Sequence, residues 1–195
     1  MIVLGILGDI GSGKSFVSKQ FKCPIFSADH EVNKIYRKNK ICYKKLKSKL
    51  PKFIKTYPID KIELTRAVLA NKYNLKKIIN IVHPLVRKKM FNFLKQNSKK
   101  KLVVLDIPLL LENNLNKKKI ILVFVDSKKK EINKHLKKRK NYNRKVIEIL
   151  RKLQKPISYK KKLSTYIIKN NFKLSTVKKR VKFIKNKILN ERNSP

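Results

Sequence analysis

Glycine, arginine and acidic residues are scarce in this chain of 195 residues. Lysine outnumbers arginine 45 to 8, and 11 acidic residues stand against 53 basic ones, for a formal net charge of +42. Such a charge is typical of proteins that bind nucleic acids or anionic membranes. The lysines, however, are spread along the whole chain, and arginine, whose forked guanidinium suits specific phosphate recognition, is rare. We therefore attribute the charge to compositional bias and expect non-specific attraction to polyanions but no specific nucleic-acid partner.

Two further absences limit the setting in which the chain works. Cys23 and Cys42 have no metal-binding spacing, and two cysteines are too few for a disulfide framework, so we expect a reducing, cytoplasmic location. No apolar run approaches the roughly 18 residues of a membrane span, so we expect no membrane partner. An apolar run begins at Ile2, so we expect no signal peptide before it.

Three of the four glycines lie in residues 8–15, which read Gly-Asp-Ile-Gly-Ser-Gly-Lys-Ser and match the phosphate-loop pattern G-x-x-x-x-G-K-[ST]. The apolar run Ile2 to Leu7 predicts a buried strand before the loop, and Val17 and Phe21 predict a helix after it. Backbone N–H groups of such a loop point at phosphate oxygens. The predicted ATP-binding residues are Gly8, Asp9, Ile10, Gly11, Ser12, Gly13, Lys14, Ser15 and Phe16.

Three side chains of the loop have distinct expected roles. Lys14 places a positive charge at the β- and γ-phosphates, and the Ser15 hydroxyl is expected to coordinate Mg²⁺. Asp9 is unusual, because a carboxylate in a phosphate cradle should repel the ligand unless its side chain points outward.

A second acidic position follows a short apolar segment. Residues 25–29 predict a strand that ends in Asp29, with a helix from His30 to Arg37. A carboxylate at the carboxyl end of a strand beside a phosphate loop lies where α/β sheets bind ligands, which favours a general base or a Mg²⁺ partner. Asp29 is equally well placed to cap the following helix.

The next strong strand is residues 102–106, which end in Asp106. An apolar strand followed by an acid resembles a Walker-B arrangement and predicts that Asp106 lies near the metal. The alternative is an aspartate that starts a turn before Pro108; we favour the metal role because Lys14 and Ser15 require such a partner. A further strand is expected from Ile120 to Val125.

The region between the second and third strands predicts helices only. Helical patterns cover residues 61–69 and 75–82, and we expect His83-Pro84 to interrupt the second pattern before another helix at residues 85–94. Two short basic helices, residues 131–140 and 146–153, predict a lid over the phosphates. Residues 166–168 predict a last strand, followed by an amphipathic helix over residues 173–191.

This order of elements predicts an α/β fold with three layers, in which a parallel central sheet is covered by helices on both faces. We expect a single phosphate-loop domain over residues 1–195. Its core covers about 1–29, 97–130 and 161–195, with a helical insertion at about 30–96 and the lid at about 131–160.

Together these motifs resemble the dephospho-CoA kinase family over nearly the whole chain. The most specific strings are Val82-His83-Pro84-Leu85-Val86-Arg87 and Asp106-Ile107-Pro108-Leu109-Leu110-Leu111-Glu112. Ser27-Ala28-Asp29 stands where the family has Asp-Ala-Asp. Among the departures, His135 in the lid stands where the family often has arginine.

The resemblance implies an enzyme that transfers phosphate from ATP, with Mg²⁺, to the ribose 3′-hydroxyl of dephospho-CoA, the last step of coenzyme A biosynthesis. It implies that Asp29, Lys14 and Arg139 are catalytic, with Arg139 also binding ATP from the lid, and that Ser15 and Asp106 hold the metal. The implied acceptor-binding residues are Asp29, Arg66, His83, Arg87, Pro108, Leu109, Leu110 and Glu112.

Two other interpretations belong to different functional classes. The chain could be another small-molecule phosphate-loop kinase, or a basic RNA-binding protein regulated by ATP, which would bind RNA with a steep salt dependence and show no acceptor-dependent turnover. We expect a monomer in each case.

Overall fold

The computed structural model describes residues 1–115, 120–139 and 142–191. The chain divides into two compact units: unit 1 is Met1–Ser27, Asn97–Asn143 and Ile149–Pro195, and unit 2 is Ala28–Gln96 and Arg144–Glu148. Residues 116–119, 140–141 and 192–195, which the prediction assigned to the core and the lid, lie outside the described residues.

Unit 1 is built on a parallel sheet, as predicted. In the described residues the sheet has five strands in the order β2-β3-β1-β4-β5. The central strand β1 pairs with β3 on one side, where Gly5 faces Leu105, and with β4 on the other, where Gly5 faces Leu122. The strands are β1 (Ile2–Gly8), β2 (Ile25–Ser27), β3 (Leu102–Asp106), β4 (Ile120–Asp126) and β5 (Tyr166–Lys169).

One face of the sheet is covered by α1 (Lys14–Gln20) and α9 (Leu174–Asn190), which also pack on each other. Phe21, directly after α1, is fully buried in this layer, and burial of such a side chain stabilises the fold by about 1.5–3 kcal/mol. The predicted amphipathic helix is confirmed, because its apolar stripe is buried in the same cluster. That stripe consists of Val177, Val181, Ile184 and Ile188.

Residues of alternate parity on the strands face the other side, where Val103, Leu105 and Phe124 are buried. Here α8 (Ile157–Leu163) contacts β1 and β4. Burial of both faces explains why the strands read as continuous apolar runs. The predicted three-layer α/β fold is therefore confirmed. Helix α6 (Lys129–Lys137) also belongs to unit 1. The residues of α7 (Arg144–Lys152) are divided between the two units.

Unit 2 is helical and contains α2 (Ala28–Lys38), α3 (Lys40–Lys49), α4 (Lys61–Ala70) and α5 (Lys72–Gln96). Asn39 caps α3 by accepting the N–H of Cys42 at 2.8 Å, and Asp60 caps α4 by accepting the N–H of Ile62 at 2.9 Å. Among the described residues of the whole chain, no helix has both the length and the apolar content that a membrane crossing requires.

The predicted interruption at His83-Pro84 was wrong, because α5 runs through Pro84 as one helix of 25 residues. Proline in a helix interior removes one backbone hydrogen bond. The helix continues because residues on both sides of the proline are anchored in the core, with Val82 and Met90 both buried.

Two other boundaries differ from the prediction. Strand β2 ends at Ser27 and α2 begins at Ala28, so Asp29 lies in the first turn of the helix rather than at the end of the strand. A carboxylate in a first helical turn is favoured by the helix dipole. Helix α8, which lies between the predicted helix 146–153 and the predicted strand 166–168, was not predicted; Pro156 is its N-cap.

Candidate active site

The phosphate loop joins the end of β1 to the start of α1, and the predicted strand–loop–helix arrangement is confirmed. Gly13 caps α1 with φ of 84°, and Gly11 has φ of 85°, a region that side chains rarely adopt. A Cβ atom on Gly13 would lie 2.4 Å from Nδ2 of Asn170, and one on Gly11 would lie 2.6 Å from Cγ of Leu136. Both positions therefore require glycine for two independent reasons.

Side chains that follow the neighbouring strands hold the loop in place. The carbonyl of Ser12 accepts hydrogen bonds from the Ser127 hydroxyl and the Asn170 amide, each at 2.8 Å. Ser127 directly follows β4 and Asn170 directly follows β5. The Asn170 amide is oriented in turn, because its oxygen accepts the N–H of Phe172 at 2.8 Å. The loop is thus fixed before any ligand binds.

The ammonium of Lys14 folds back onto the loop. It donates to the carbonyls of Asp9 at 2.8 Å and Gly8 at 3.2 Å. The positive charge of Lys14 therefore lies beside the loop, and the backbone N–H groups of the loop lead into the N-terminus of α1. Both features favour the binding of a phosphate anion.

Ser15, the last residue of the loop, meets the acid at the end of β3. Its hydroxyl donates to Oδ2 of Asp106 at 2.5 Å. The parallel pairing of β1 with β3 brings these groups together across 91 residues of sequence. A hydroxyl and a carboxylate are hard oxygen ligands of the kind that Mg²⁺ prefers when phosphates and water complete its shell. No group of three or more His, Cys, Asp or Glu residues in the described chain is placed to hold a metal by itself.

The carboxylate of Asp9 is paired with an arginine of the predicted lid. Its carboxylate accepts two hydrogen bonds from the guanidinium of Arg151 in α7, at 3.1 Å from Nη2 and 3.3 Å from Nε. Its Oδ1 also accepts the N–H of Ile10 at 2.6 Å. The repulsion expected from an acid in a phosphate loop is thus offset by a cation from the predicted lid.

A buried ion pair joins α8 to the segment that follows β3. Lys160 in α8 is 2% exposed, and its ammonium lies 3.2 Å from Oε1 of Glu112 and 2.8 Å from Oε1 of Gln154. Glu112 also accepts the N–H of Lys155 at 2.7 Å. The segment after β3 is therefore tied to the segment between α7 and α8.

Aromatic rings cover the loop near Gly13. The imidazole of His135 stacks on the ring of Phe172 with centroids 3.8 Å apart, and Phe16 lies 6.5 Å from Phe172 on a centroid basis. Phe172 itself has φ of 60°, so the stack is held at a backbone conformation that side chains rarely adopt.

The other predicted site residues fall into two groups. Asp29, Arg66 and Arg87 are exposed in unit 2, where His83 is half-buried. In unit 1, Arg139 is exposed just after α6, and Pro108 and Leu109 are half-buried after β3. Leu110 is fully buried in the core; a Cβ on Gly5 would lie 3.0 Å from it.

Four residues that the structure brings to the site were not assigned a role from sequence. Ser127 and Asn170 could have been found, because polar residues that follow parallel strands beside a phosphate-loop strand meet at the same sheet edge. Arg139, Arg144 and Arg151 make the predicted lid the most arginine-dense part of an arginine-poor chain, but nothing in the sequence assigned Arg151 a partner. Lys160 carried no signal that separates it from the other lysines.

The sheet order, the glycine loop ahead of α1 and the Ser15–Asp106 contact define a phosphate-loop nucleotide-binding protein. Within that class, residues 2–176 match the family model described as dephospho-CoA kinase. The chain therefore belongs to the dephospho-CoA kinase family.

Similar proteins agree with this assignment. A dephospho-CoA kinase of Wolbachia sp. subsp. Brugia malayi is 35% identical over 116 residues, which are 57% of this chain and 60% of that protein. One from Jannaschia sp. is 37% identical over 112 residues, 56% of this chain and 58% of that protein. The match thus spans about three fifths of the length of these curated relatives.

A crystal structure of a Thermus thermophilus protein is similar over 95% of this chain and 97% of its own, with a TM-score of 0.74 and 27% identity. A dephospho-CoA kinase from Campylobacter jejuni has the same fold, with a TM-score of 0.65 at 22% identity over 97% of this chain and 98% of its own.

Proposed function

We propose that this chain phosphorylates the ribose 3′-hydroxyl of dephospho-CoA with ATP, giving coenzyme A and ADP. The observation that carries the proposal is the contact between Ser15 and Asp106 at the end of a preformed phosphate loop, in a chain of this family. The loop and this contact support a nucleotide site, and family membership supports dephospho-CoA as the acceptor.

The donor half of the proposed reaction uses the residues of unit 1. Backbone N–H groups of residues 8–15 and the Lys14 ammonium hold the phosphate oxygens, and Ser15 and Asp106 hold Mg²⁺. When bound, Mg²⁺ neutralises charge on the transferred group. Arg139 is proposed to close on the same phosphates from the lid, residues 131–160.

The acceptor half of the proposed reaction uses the helical insertion, residues 30–96, and Asp29 before it. Asp29 is exposed in the first turn of α2, and we propose that it takes or orients the proton of the 3′-hydroxyl. Arg66, His83 and Arg87 are proposed to bind the acceptor, with Pro108 and Leu109 offering apolar surface. Leu110 and Glu112 are also proposed to line the acceptor side. Since Leu110 is fully buried and Glu112 is held by Lys160, their contribution would be to support the segment that carries Pro108 and Leu109.

The test is ADP formation from MgATP with dephospho-CoA, shikimate or no acceptor, for the wild type and for Asp29→Asn. We expect turnover with dephospho-CoA alone and a fall in kcat of at least about 100-fold in the variant, the usual effect of losing a general base. Asp60→Asn is the matched control. It also removes one charge at a helix start but keeps an acceptor for the Ile62 N–H, so its rate should stay near wild type.

Three results would contradict the proposal. Turnover with another acceptor and none with dephospho-CoA would make the chain a different small-molecule kinase. Salt-sensitive RNA binding without acceptor-dependent ADP formation would favour the RNA-binding alternative. Equal rates for Asp29→Asn and Asp60→Asn would remove Asp29 from the mechanism. We also propose that the chain is a monomer and that it works in a reducing, cytoplasmic location.

A further inference from the structure

Asp9 and Arg151 form a charge-matched contact between the phosphate loop and the lid. The carboxylate is the second residue of the loop, and the guanidinium lies in the last turn of α7. The two parallel hydrogen bonds, at 3.1 and 3.3 Å, are the fork-to-fork geometry that gives arginine–carboxylate pairs their directional strength. We propose that these two side chains are a positioning pair, in which Arg151 cancels the loop carboxylate and fixes the end of α7 against the loop.

The proposal explains how an acid is tolerated in the loop. Asp9 is 15% exposed at the side chain and is joined to the loop backbone through the Ile10 N–H, so it cannot swing clear of the phosphates. An unpaired carboxylate at this position would repel the anionic phosphates of a bound nucleotide. Arg151 removes that repulsion without itself touching the ligand.

The pair also accounts for how this end of α7 is held. None of the nine residues of α7, all of which the structure describes, is buried. Its apolar side chains, Val146, Ile147, Ile149 and Leu150, are only half-buried. Directional polar contacts therefore add to this packing in fixing where the end of the helix lies. Two polar anchors are present at this end: the Asp9–Arg151 pair and, shortly after the helix, the contact of Glu112 with the Lys155 N–H.

The inference rests on the proposed nucleotide site but not on the identity of the acceptor. Its test is therefore equilibrium binding of MgATP without any acceptor, for the wild type, Asp9→Asn, Arg151→Gln and the double variant. Asp9→Asn removes the charge but keeps the Oδ1 acceptor for the Ile10 N–H. Arg144→Gln is the matched control, because Arg144 pairs with Glu148 on the exposed surface of the same helix.

We expect Arg151→Gln to change the Kd for MgATP more in the wild-type protein than in the Asp9→Asn variant. With Asp9 present it should raise the Kd for MgATP about tenfold or more, because the carboxylate is left uncompensated. In the Asp9→Asn background the same substitution should raise the Kd less than about threefold. Arg144→Gln should leave the Kd unchanged. An equal rise in Kd in both backgrounds would mean that Arg151 binds the nucleotide directly. No rise in either would mean that the pair does not contribute to nucleotide binding. Both results overturn the proposal.

A second measurement examines the position of α7 without a nucleotide. Amide hydrogen exchange at residues 149–154 should become faster in Asp9→Asn and in Arg151→Gln, and should stay at the wild-type rate in Arg144→Gln. Unchanged exchange in both pair variants would overturn the positioning role. If the wild type bound no MgATP, the proposed function would fail, and the exchange comparison would still decide whether Asp9 and Arg151 hold the lid.

Discussion

The hydroxyl of Ser15 donates a hydrogen bond of 2.5 Å to the carboxylate of Asp106, although the two residues are 91 positions apart. The contact exists because β1 and β3 are parallel neighbours, so their carboxyl ends lie side by side. It joins the last residue of the phosphate loop to the acid that ends the adjacent strand. The two oxygens that satisfy each other in this contact are the ones that we propose as the protein ligands of Mg²⁺.

Asp106→Asn tests this pair. The amide keeps the size of the side chain but loses the negative charge, so we expect the Mg²⁺ concentration for half-maximal ADP formation to rise about tenfold or more. Asp126→Asn is a matched control at the end of β4, where the carboxylate pairs with the half-exposed Lys161. It should shift the Mg²⁺ dependence less than about twofold. Equal shifts in the two variants would remove Asp106 from the metal site.

Gly13→Ala should abolish nucleotide binding, because its Cβ would lie 2.4 Å from Asn170 Nδ2 and its φ of 84° is unfavourable for alanine. The Asn170 amide would have to move and would release the Ser12 carbonyl. Gly5→Ala is the control, since its tight contacts, the closest at 3.0 Å, are with the side chain of Leu110 and others in the core. It should lower the free energy of unfolding but keep the Kd for MgATP. Binding by Gly13→Ala at the wild-type Kd, measured by titration calorimetry, would show that the loop adapts.

Much of unit 1 was predictable because its signals are local. The glycine loop, the continuous apolar strands and the stripe from Val177 to Ile188 each follow from a short stretch of chain. The errors arose where tertiary packing overrode a local rule. Pro84 is tolerated because buried residues on both sides anchor α5, and Pro156 is an N-cap rather than a stop.

The site was less predictable than the fold. Asp106 could be placed because an acid after a buried strand is a pattern with a mechanism. The roles of Arg151 and Lys160 could not be assigned, because Arg151 is one of three arginines in the predicted lid and Lys160 is one of 45 lysines. Their roles depend on contacts with Asp9 and Glu112, which are distant in sequence. The local residue patterns that predict helices and strands carry no information about such contacts.

The stability of the protein should fall at high pH through Cys42. Burial raises the pKa of this thiol from its ordinary 9.0 to about 11. The unfolded chain therefore releases the proton above pH 9 while the folded chain keeps it, so this contribution to stability is full below pH 9 and is lost between about pH 9 and 11. Between pH 8 and 10.5 the wild type should lose about 2 kcal/mol more unfolding free energy than Cys42→Ala.

Urea unfolding at the two pH values measures this difference. Tyr166, whose pKa is raised to about 12 by burial and by its hydrogen bond to Glu191, is present in both proteins, so its effect cancels in the comparison. Burial and, less strongly, the charge of the Cys42 thiolate raise the pKa of Tyr36, so the variant also loses that coupling and the measured difference belongs to Cys42 together with it. The cavity left by the removed sulfur lowers the stability of the variant equally at both pH values. Parallel pH dependences for the two proteins would show that the thiol is not desolvated.

Adjacent lysines on α8 should differ sharply in their contribution to stability. Lys160 is 2% exposed and pairs with Glu112, whereas Lys161 is 38% exposed and pairs with Asp126. Lys160→Met removes the cation from the Glu112 carboxylate. The other carboxylate oxygen, Oε2, already has no hydrogen-bond partner in the described residues, so no second contact there compensates the charge. We expect a loss of about 3–5 kcal/mol for Lys160→Met and less than about 1 kcal/mol for Lys161→Met, both measured by urea unfolding at pH 7.

The double variant Lys160→Met, Glu112→Gln separates the effect of the buried charge from that of lost packing. If the loss in Lys160→Met comes from the uncompensated carboxylate, adding Glu112→Gln should restore part of the stability, because the neutral amide costs less to bury. The oxygen of the introduced amide would still accept the Lys155 N–H, which Glu112 accepts at 2.7 Å. If the double variant were instead less stable than Lys160→Met, lost packing of the lysine stem and not the buried charge would be the cause.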